Sequence, residues 1–241
     1  MASRAGWWAM GEPPVIEVVG VSRRYAATPA LLETDLAVGP GEIVGISGPS
    51  GSGKSTLLRL LAAIEPPDTG EVLLGGAPAW IRRYGRRRRR PPRPGYVMPV
   101  FQNPFSSLDV RWPIWRSLTE PVAVTRRVSR AERRTLAGER LEAVGLGGLP
   151  LDAMPSELSI GQCQRVAIAR ALAAAPAAVV ADEPTSALDV TTVAGILPLF
   201  QRVAADGTAL VLVSHDENML RALCDRVHPM AAGRLGEMLV C

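Results

Sequence analysis

A glycine-rich segment at residues 48–55 constrains the fold of this chain more than any other feature of the sequence. It follows the apolar run 42–46, which predicts a strand, and it precedes a leucine-rich run that predicts a helix over 55–63, stopped by Pro66 and Pro67. A strand, a glycine-rich turn and a helix in this order are typical of a phosphate-binding loop. In such a loop, backbone N–H groups surround phosphate oxygens at the N-terminus of the helix.

The residue types in this loop suit phosphate binding. The spacing matches glycine, four residues, glycine, lysine and serine, and Lys54 at the lysine position is the only lysine among 27 basic residues. In this pattern the lysine reaches the outer phosphates and the hydroxyl of Ser55 can ligate Mg²⁺. A glycine-rich turn without a ligand would leave the single lysine unexplained. The residues that we expect to form the nucleotide loop are Gly48, Pro49, Ser50, Gly51, Ser52, Gly53, Lys54, Ser55 and Thr56.

The rest of the chain predicts an α/β core around one helical insert. Residues from about 108 to 175 carry helical periodicity and no strand pattern, whereas short apolar runs occupy both flanks. The predicted strands outside the loop region are 15–21, 32–38, 71–74, 96–101, 177–181 and 208–214, and the predicted helices of the insert are 115–124, 130–144 and 161–175. The last two strands are continuous apolar runs, which suit a parallel sheet with helices on both faces.

Proline restricts one of these strands. Pro99 interrupts the run 96–101, and a residue without an N–H cannot take a central hydrogen-bonded place in a sheet. We therefore expect this strand at an edge of the sheet or at a bulge.

Composition excludes several classes of protein. No stretch approaches the roughly 18 consecutive apolar residues of a membrane span. Three scattered cysteines without a CxxC pair argue against a disulfide framework and against a zinc site. The apolar patch near the N-terminus is too short for a signal-peptide core, so we expect residues 1–14 to be a disordered cytoplasmic extension and residues 15–241 to be one domain.

The positive charge of the chain is concentrated in one place. The segment 82–93 holds eight arginines, and subtracting them from the formal charge of +4 leaves −4 for the rest of the chain. Nucleic-acid binding usually spreads basic residues over a face with interleaved aromatics, whereas here one run, 86–90, is followed by Pro91 and Pro92. The pattern predicts a solvated loop.

Two carboxylates and a histidine follow buried strands. Asp182 and Glu183 end the apolar run 177–181, and His215 follows the run 209–214. The carboxyl ends of parallel strands are where α/β sheets bind ligands. Neighbouring residues on a strand point in opposite directions, so we expect separate roles. Asp182 would hold the Mg²⁺ shell, Glu183 would accept a proton from an attacking water as general base, and His215 would contact the terminal phosphate.

Three longer motifs carry a family resemblance. They are Leu-Ser-Ile-Gly-Gln-Cys-Gln-Arg at 158–165, Asp-Glu-Pro-Thr-Ser-Ala-Leu-Asp at 182–189, and Ser-His-Asp at 214–216. Together with the phosphate loop, they resemble the nucleotide-binding subunit of ABC transporters, in the order and spacing of that family, over residues 15 to about 240. The resemblance implies a P-loop NTPase core with a parallel sheet, an antiparallel β subdomain and a helical insert. It also implies ATP hydrolysis with Mg²⁺.

The resemblance assigns further residues by their place in the family's motifs. Tyr25 matches the aromatic residue that stacks on adenine, and Gln102 matches the loop glutamine that ligates Mg²⁺ and reports the nucleotide state to the membrane partner. Asp189 matches a residue that crosses the dimer interface. The signature motif, which binds the γ-phosphate of ATP held by the opposite subunit, corresponds to Ser159, Gly161 and Gln162. With Glu183 and His215, the expected catalytic set also includes Gln102 and Lys54.

The resemblance also implies partners. Each ATP site in the family is shared between two chains packed head to tail, so a lone monomer should bind ATP but hydrolyse it poorly. The implied partners are transmembrane permease subunits, a second ATPase subunit of the same or another kind and, indirectly, a solute-binding protein. The implied location is the cytoplasmic face of the cell membrane, and we expect no nucleic acid as a partner.

The branch of the family is indicated by residues 101–111, which are similar to the corresponding segment in ATPases of peptide and nickel importers. The chain stops at Cys241, and this short form resembles the nickel-type subunits more than the long oligopeptide ones. One departure is Ile160, which replaces the usual second glycine of the signature. The flanking Ser159 and Gly161 are kept, so we expect hydrolysis to be retained.

A second hypothesis remains open at this point. A soluble ABC-type ATPase of a non-transport complex, such as a phosphonate-metabolism accessory or a nucleic-acid-associated machine, would use the arginine run as an anionic contact. Nucleic-acid machines of this type usually carry two cassettes or a long coiled-coil insert, and here each motif occurs once. Salt-dependent binding of the chain to DNA or RNA would favour this second hypothesis.

Overall fold

A computed structural model describes residues 13–84 and 86–240. The expected N-terminal extension lies outside the described residues, apart from its last two positions. The strands in chain order are β1 (Ile16–Tyr25), β2 (Thr28–Val38), β3 (Ile43–Ser47), β4 (Thr69–Leu74), β5 (Ala77–Pro78), β6 (Trp80–Arg83), β7 (Arg86–Arg89), β8 (Val97–Val100), β9 (Ala178–Asp182), β10 (Ala209–Val213), β11 (Arg226–Ala231), β12 (Arg234–Leu235) and β13 (Leu239–Val240). The helices are α1 (Lys54–Leu61), α2 (Ile114–Thr125), α3 (Arg130–Ala143), α4 (Ile160–Ala173), α5 (Val190–Ala205) and α6 (Glu217–Leu223).

The central sheet has the strand order β12-β11-β3-β10-β9-β8, and β13 adds to β11. Strands β11, β3, β10, β9 and β8 run parallel to one another. Strand β10 is fully buried because its alternate side chains enter two different cores: Leu210 and Leu212 enter one, and Val211 and Val213 enter the other. This two-sided burial explains the continuous apolar run and confirms the predicted α/β core.

The two faces of the sheet are covered differently. On one face, α1 packs together with a four-stranded antiparallel sheet of order β2-β1-β4-β5. On the other face lie α4, α5 and α6, and α2 and α3 pack against α4. Among the described residues, the structure has no helix that is both long enough and apolar enough to span a bilayer.

Two helices of the insert, α3 and α4, begin with well-defined local signals. Ser129 caps α3, and its hydroxyl and the Glu132 carboxylate form a reciprocal capping box. Ser159 and Gln162 form the same arrangement at the start of α4. Helix α4 packs against α2, α3 and β8, and it also contacts the short helical turn Pro104–Ser106 that follows β8.

The expected position of Pro99 is confirmed. Within the described part of the chain, strand β8 is the last strand of the central sheet and pairs only with β9, in a register that places Pro99 opposite Val180. A proline is tolerated there because one side of an edge strand needs no hydrogen-bond donor.

The arginine-rich segment is exposed at residues 86–90, as predicted, but the prediction that it is a loop is wrong. Strands β6 and β7 form a two-stranded antiparallel hairpin, in which Trp80 pairs with Arg89 and Ile81 with Arg88. The hairpin forms because Trp80 packs against the core at one end and Arg87 and Arg89 donate hydrogen bonds to backbone carbonyls of the body. These contacts involve residues distant in sequence, so the local composition does not reveal them.

Candidate active site

The glycine-rich loop joins β3 to α1 and has the conformation that its glycines allow. Gly48, Gly51 and Gly53 have φ values of 146°, 77° and 106°, which side chains rarely adopt. A β-carbon at Gly48 would collide with the carbonyl oxygen of Met230, and one at Gly53 with the carbonyl oxygen of Ala30. The space beside Gly51 is open. The loop is therefore a tightly supported backbone cradle with one open side, which fits the phosphates of a nucleotide.

Lys54 lies inside this cradle. Its side chain is buried, and Nζ donates to the carbonyl oxygens of Gly48 and Pro49, each at 2.7 Å. Both acceptors are neutral carbonyl groups, so they hold the ammonium group in place without neutralising its charge. An anion that enters the cradle meets a positive charge that is already held in place.

Two of the three predicted metal residues line one cleft. Ser55 at the start of α1 and Asp182 at the end of β9 line it together with Phe101. The third, Gln102, follows Phe101 in the chain and is exposed. The hydroxyl of Ser55 and the carboxylate of Asp182 are hard oxygen ligands of the kind that Mg²⁺ prefers, so the polar residues of the cleft fit that ion.

Glu183 and His215 form a pair at the same edge of the sheet. Nδ1 of His215 lies 2.8 Å from Oε2 and 3.0 Å from Oε1 of Glu183. Because a carboxylate only accepts, Nδ1 carries the proton that is donated. Glu183 has a φ of 51°, unusual for a residue other than glycine, and its N–H donates to the carbonyl oxygen of Val213. The backbone thus turns sharply after β9 and aims the Glu183 carboxylate at the residue that follows β10.

The electrostatics of this pair favour a protonated imidazole. The hydrogen bond to Glu183 and its negative charge raise the pKa of His215 above the usual 6.5. The positive charge of Lys54 opposes this shift, which places the loop lysine within electrostatic reach of the histidine. The His215 side chain is 74% exposed, so it is open to a ligand held by the loop.

Tyr25 lies at the end of β1, next to two charged groups. Its ring is partly exposed, its hydroxyl donates to Oε2 of Glu65 at 2.8 Å, and the guanidinium of Arg23 lies 5.2 Å from the ring centroid. Arg23 is itself held by Asp68 at 2.8 Å and by Glu65 at 3.2 Å. The motifs in the sequence did not point to Arg23 or Glu65. The alternation of β1 would have placed Arg23 on the face of Tyr25, but Glu65 required the tertiary structure.

The signature residues form a separate group. Ser159 Oγ accepts from the backbone N–H of Gln162, and Gln162 Oε1 accepts from the N–H of Ser159. A β-carbon at Gly161 would lie 3.0 Å from the carbonyl oxygen of Ala187, so this glycine allows α4 to approach the 182–189 motif closely. Ile160 is 60% exposed and causes no crowding within the chain.

Asp189 ends that motif as a helix cap. Its carboxylate accepts from the backbone N–H and from the hydroxyl of Thr192, each at 2.9 Å, and the backbone hydrogen bond is the main cause that lowers its pKa. The described contacts of Asp189 and of the signature residues are with their own neighbourhood. The structure places Ser55 and Asp182 at one cleft and joins Glu183 to His215, and none of the described hydrogen bonds joins the signature residues to this group.

Comparison with known proteins identifies the family. The ABC transporter family model matches residues 31–186. The chain belongs to the ABC transporter family. The structure of this ABC transporter chain is also similar to the dimeric post-hydrolysis state of the ATP-binding cassette MJ0796 bound to ADP and Pi, with a TM-score of 0.84 and 31% identity over 93% of this chain and 98% of that one.

Curated relatives of this ABC transporter chain include the probable D,D-dipeptide transport ATP-binding protein DdpF of Escherichia coli K12, which is 40% identical over 85% of this chain and 61% of the relative. The methionine import ATP-binding protein MetN of Mesorhizobium japonicum is 42% identical over 92% and 60%. The nickel import ATP-binding protein NikE of Escherichia coli O6:K15:H31 is 36% identical over 92% and 82%. The chain spans about three fifths of the length of DdpF and MetN.

Proposed function

We propose that this chain is the ATP-binding and ATP-hydrolysing subunit of an ABC importer for a small solute such as a peptide, nickel or an amino acid. One observation carries the proposal. The Glu183–His215 pair lies at the edge of the sheet where the glycine loop holds the positive charge of Lys54 on uncharged acceptors, two backbone carbonyls and the Ser52 hydroxyl. The names of DdpF, NikE and MetN supply the class of solute.

The loop binds the phosphates of ATP. Backbone N–H groups of residues 48–56 and the N-terminus of α1 face the anionic groups, and Lys54 exchanges its bonds to loop carbonyls for bonds to phosphate oxygens. Tyr25 stacks on the base, in the orientation that Glu65 and Arg23 give its ring.

Ser55, Asp182 and Gln102 would hold Mg²⁺ beside the phosphates. Mg²⁺ held there would supply charge stabilisation to the phosphate oxygens. On the protein side, Ser55 and Asp182 are placed by the ends of neighbouring elements that line one cleft. Gln102 begins the segment that contacts α4, so a change at this residue is passed to the helical insert.

Glu183 acts as the general base. Its carboxylate is mostly buried, with 13% of the side chain exposed, and His215 keeps it directed at one position. A carboxylate held in this way accepts a proton from water attacking the terminal phosphate, which contributes roughly 10² to 10⁴ in rate. His215 orients Glu183 through Nδ1 and turns the other side of its ring to the terminal phosphate.

A complete site needs two chains. Within one chain, Ser159, Gln162 and Asp189 make hydrogen bonds to residues of their own helix starts. The phosphate that these residues contact would therefore belong to ATP bound by another chain. We propose that a second ATPase subunit supplies its signature to this loop, and that permease subunits receive the motion of α2, α3 and α4. The assembly would lie at the cytoplasmic face of the membrane, with a solute-binding protein acting indirectly.

The test is an affinity purification of the tagged Glu183→Gln variant from native membranes with ATP and Mg²⁺. The expected result is recovery of multi-span proteins, with or without a second ATPase. Recovery of soluble proteins or nucleic acid alone would overturn the importer and favour a soluble ATPase in a non-transport complex.

A further inference from the structure

The hairpin of β6 and β7 is not used by the ATP site. It extends from the antiparallel side of the molecule and forms its own two-stranded sheet, hydrogen-bonded in its ladder to neither of the larger sheets. Arg89 donates to the carbonyl oxygen of Ala62 at 2.9 Å, and Arg87 donates to that of Pro67. Both acceptors follow the C-terminus of α1, so the hairpin lies at the end of that helix opposite the glycine loop.

The sequence of the hairpin opposes its own stability. Strand β7 consists of four arginines in succession, so each face of this short strand carries like charges that repel one another. An isolated two-stranded sheet is marginally stable in water even without such repulsion. Asp68 lies within electrostatic reach of Arg87, but among the described residues no carboxylate lies within ion-pair distance of the arginines of β7. An anion from another molecule would reduce the repulsion among these arginines, so the segment is suited to bind one.

The arginines of β7 divide between two faces. Side chains alternate along a strand, so Arg87 and Arg89, which contact the body, leave Arg86 and Arg88 on the opposite face. These two side chains are exposed, as is Arg90, which follows directly. We call Arg86, Arg88 and Arg90 the outer arginines. Neighbours in this row are about 7 Å apart along the strand.

The tip of the hairpin carries an aromatic residue that does not help the turn. Tyr84 is 88% exposed and has a φ of 51°. Glycine or asparagine suits that conformation, whereas a bulky residue there is strained. An exposed tyrosine in a strained turn beside a row of arginines combines a ring that suits the lipid–water interface with charges that suit headgroup phosphates.

We propose that the hairpin tip, with Tyr84 and the outer arginines, docks on the anionic headgroups of a lipid bilayer. Eight of the twelve residues 82–93 are arginines and the formal charge of the rest of the chain is −4, so the hairpin region carries the densest positive charge and is the part most strongly attracted to such a surface. A single exposed aromatic is a poor platform for successive nucleotide bases, which favours lipid over nucleic acid. This goes beyond the proposed ATPase function, and vesicle binding needs neither ATP nor a permease.

Co-sedimentation of the full chain with vesicles tests the proposal. Phosphatidylcholine vesicles with and without phosphatidylglycerol serve as probes, at low and high salt. The wild type is expected to bind the anionic vesicles alone and to be released by high salt. The triple variant Arg86→Gln, Arg88→Gln, Arg90→Gln is expected to bind roughly a hundredfold more weakly.

Two further variants keep the test specific. The matched control Arg202→Gln, Arg221→Gln, Arg234→Gln removes the same charge from exposed sites elsewhere and is expected to bind as the wild type does. The variant Tyr84→Asn removes the ring and introduces a residue that tolerates the positive φ of this position. It is expected to bind the anionic vesicles several-fold more weakly than the wild type. All variants should keep the thermal midpoint and the ATP affinity of the wild type.

Several outcomes would overturn the proposal. They are equal binding to neutral and anionic vesicles, equal losses in the triple variant and its control, and hairpin-dependent binding of RNA or DNA without vesicle binding. None of them would affect the assignment of the ATP site, whose readout is nucleotide binding.

Discussion

Nδ1 of His215 lies 2.8 Å from Oε2 of Glu183, although the two residues are 32 positions apart in the chain. The contact exists because β9 and β10 are adjacent and parallel, with Asp182 opposite Val213 in the register. The residues that follow these two strands must therefore meet at one edge. The positive φ of Glu183 then turns its carboxylate toward the imidazole.

Replacing Glu183 by glutamine should remove hydrolysis and keep binding. The amide is isosteric but cannot accept the proton, so we expect the ATPase rate of the dimer to fall roughly 10²- to 10⁴-fold. Size-exclusion chromatography with ATP should then show a trapped dimer. Glu139→Gln, an exposed change in α3, is the control. Hydrolysis at the wild-type rate in Glu183→Gln would exclude Glu183 as the base.

The same variant should change the titration of His215. Its pKa lies above 6.5 because Glu183 stabilises the protonated ring, so the proton is kept as the pH rises through 6.5 and is lost only as the pH passes the raised pKa. In Glu183→Gln the loss should occur at lower pH. NMR of the histidine ring protons measures this directly, since the chain has two histidines. An unchanged titration of His215 would contradict the pairing.

His228 should behave in the opposite way and provides an internal reference. It is buried, its Nδ1 donates to the carbonyl oxygen of Gly236 at 3.1 Å, and its Nε2 accepts from Arg226 at 3.0 Å. Burial, with a smaller contribution from the charge of Arg226, lowers the pKa of His228 below 6.5. The Glu42 carboxylate, 2.6 Å from Nε of Arg226, also faces this group and opposes the shift.

This lowered pKa predicts a loss of stability in acid. Between the lowered folded pKa and 6.5 the unfolded chain binds more protons at His228. The contribution of neutral His228 to the free energy of unfolding should therefore be fully present above pH 6.5 and be lost as the pH falls from 6.5 through the folded pKa. Urea denaturation at a series of pH values measures it. His228→Asn should reduce the change of the free energy of unfolding with pH in this range. An unaltered pH dependence in the variant would mean that other groups cause the acid sensitivity.

Lys54→Ala should prevent ATP binding. The buried ammonium is the charge that the cradle offers to a phosphate, and a charge-assisted hydrogen bond contributes about 1.5 to 3 kcal/mol. We expect the affinity to fall at least roughly tenfold for each hydrogen bond to phosphate that the lysine would have donated. Calorimetric titration measures the affinity, with Arg202→Ala as a control for loss of charge. Wild-type affinity in Lys54→Ala would disprove the assignment of the loop.

Tyr25 offers a pair of variants that separates stacking from hydrogen bonding. Tyr25→Ala removes the ring and should weaken ATP binding by about 1 to 3 kcal/mol. Tyr25→Phe keeps the ring, loses the hydroxyl that donates to Glu65, and should keep most of the affinity. Fluorescent-nucleotide titration distinguishes them, and equal effects of the two variants would mean that the ring does not contact the base.

Local patterns in the sequence predicted a large part of this molecule. The loop at 48–55, the buried runs of β9 and β10 and the edge position of Pro99 all depend on residue types within a short window. The order and spacing of the motifs along the chain were enough to indicate the family. Which polar residues follow each buried strand is also a local property, and it predicted that Asp182, Glu183 and His215 gather at one edge.

Tertiary structure decided the contacts between segments far apart in the chain. The support of Gly48 by Met230, the Glu65 partner of Tyr25 and the anchoring of Arg87 and Arg89 at the end of α1 all join such segments. A run of arginines predicts exposure by its charge, but only these carbonyl acceptors turn it into a hairpin. The sequence by itself determined where each strand and its chemical groups lie along the chain, because propensity and periodicity are local; the partners of those groups depend on packing, which is not.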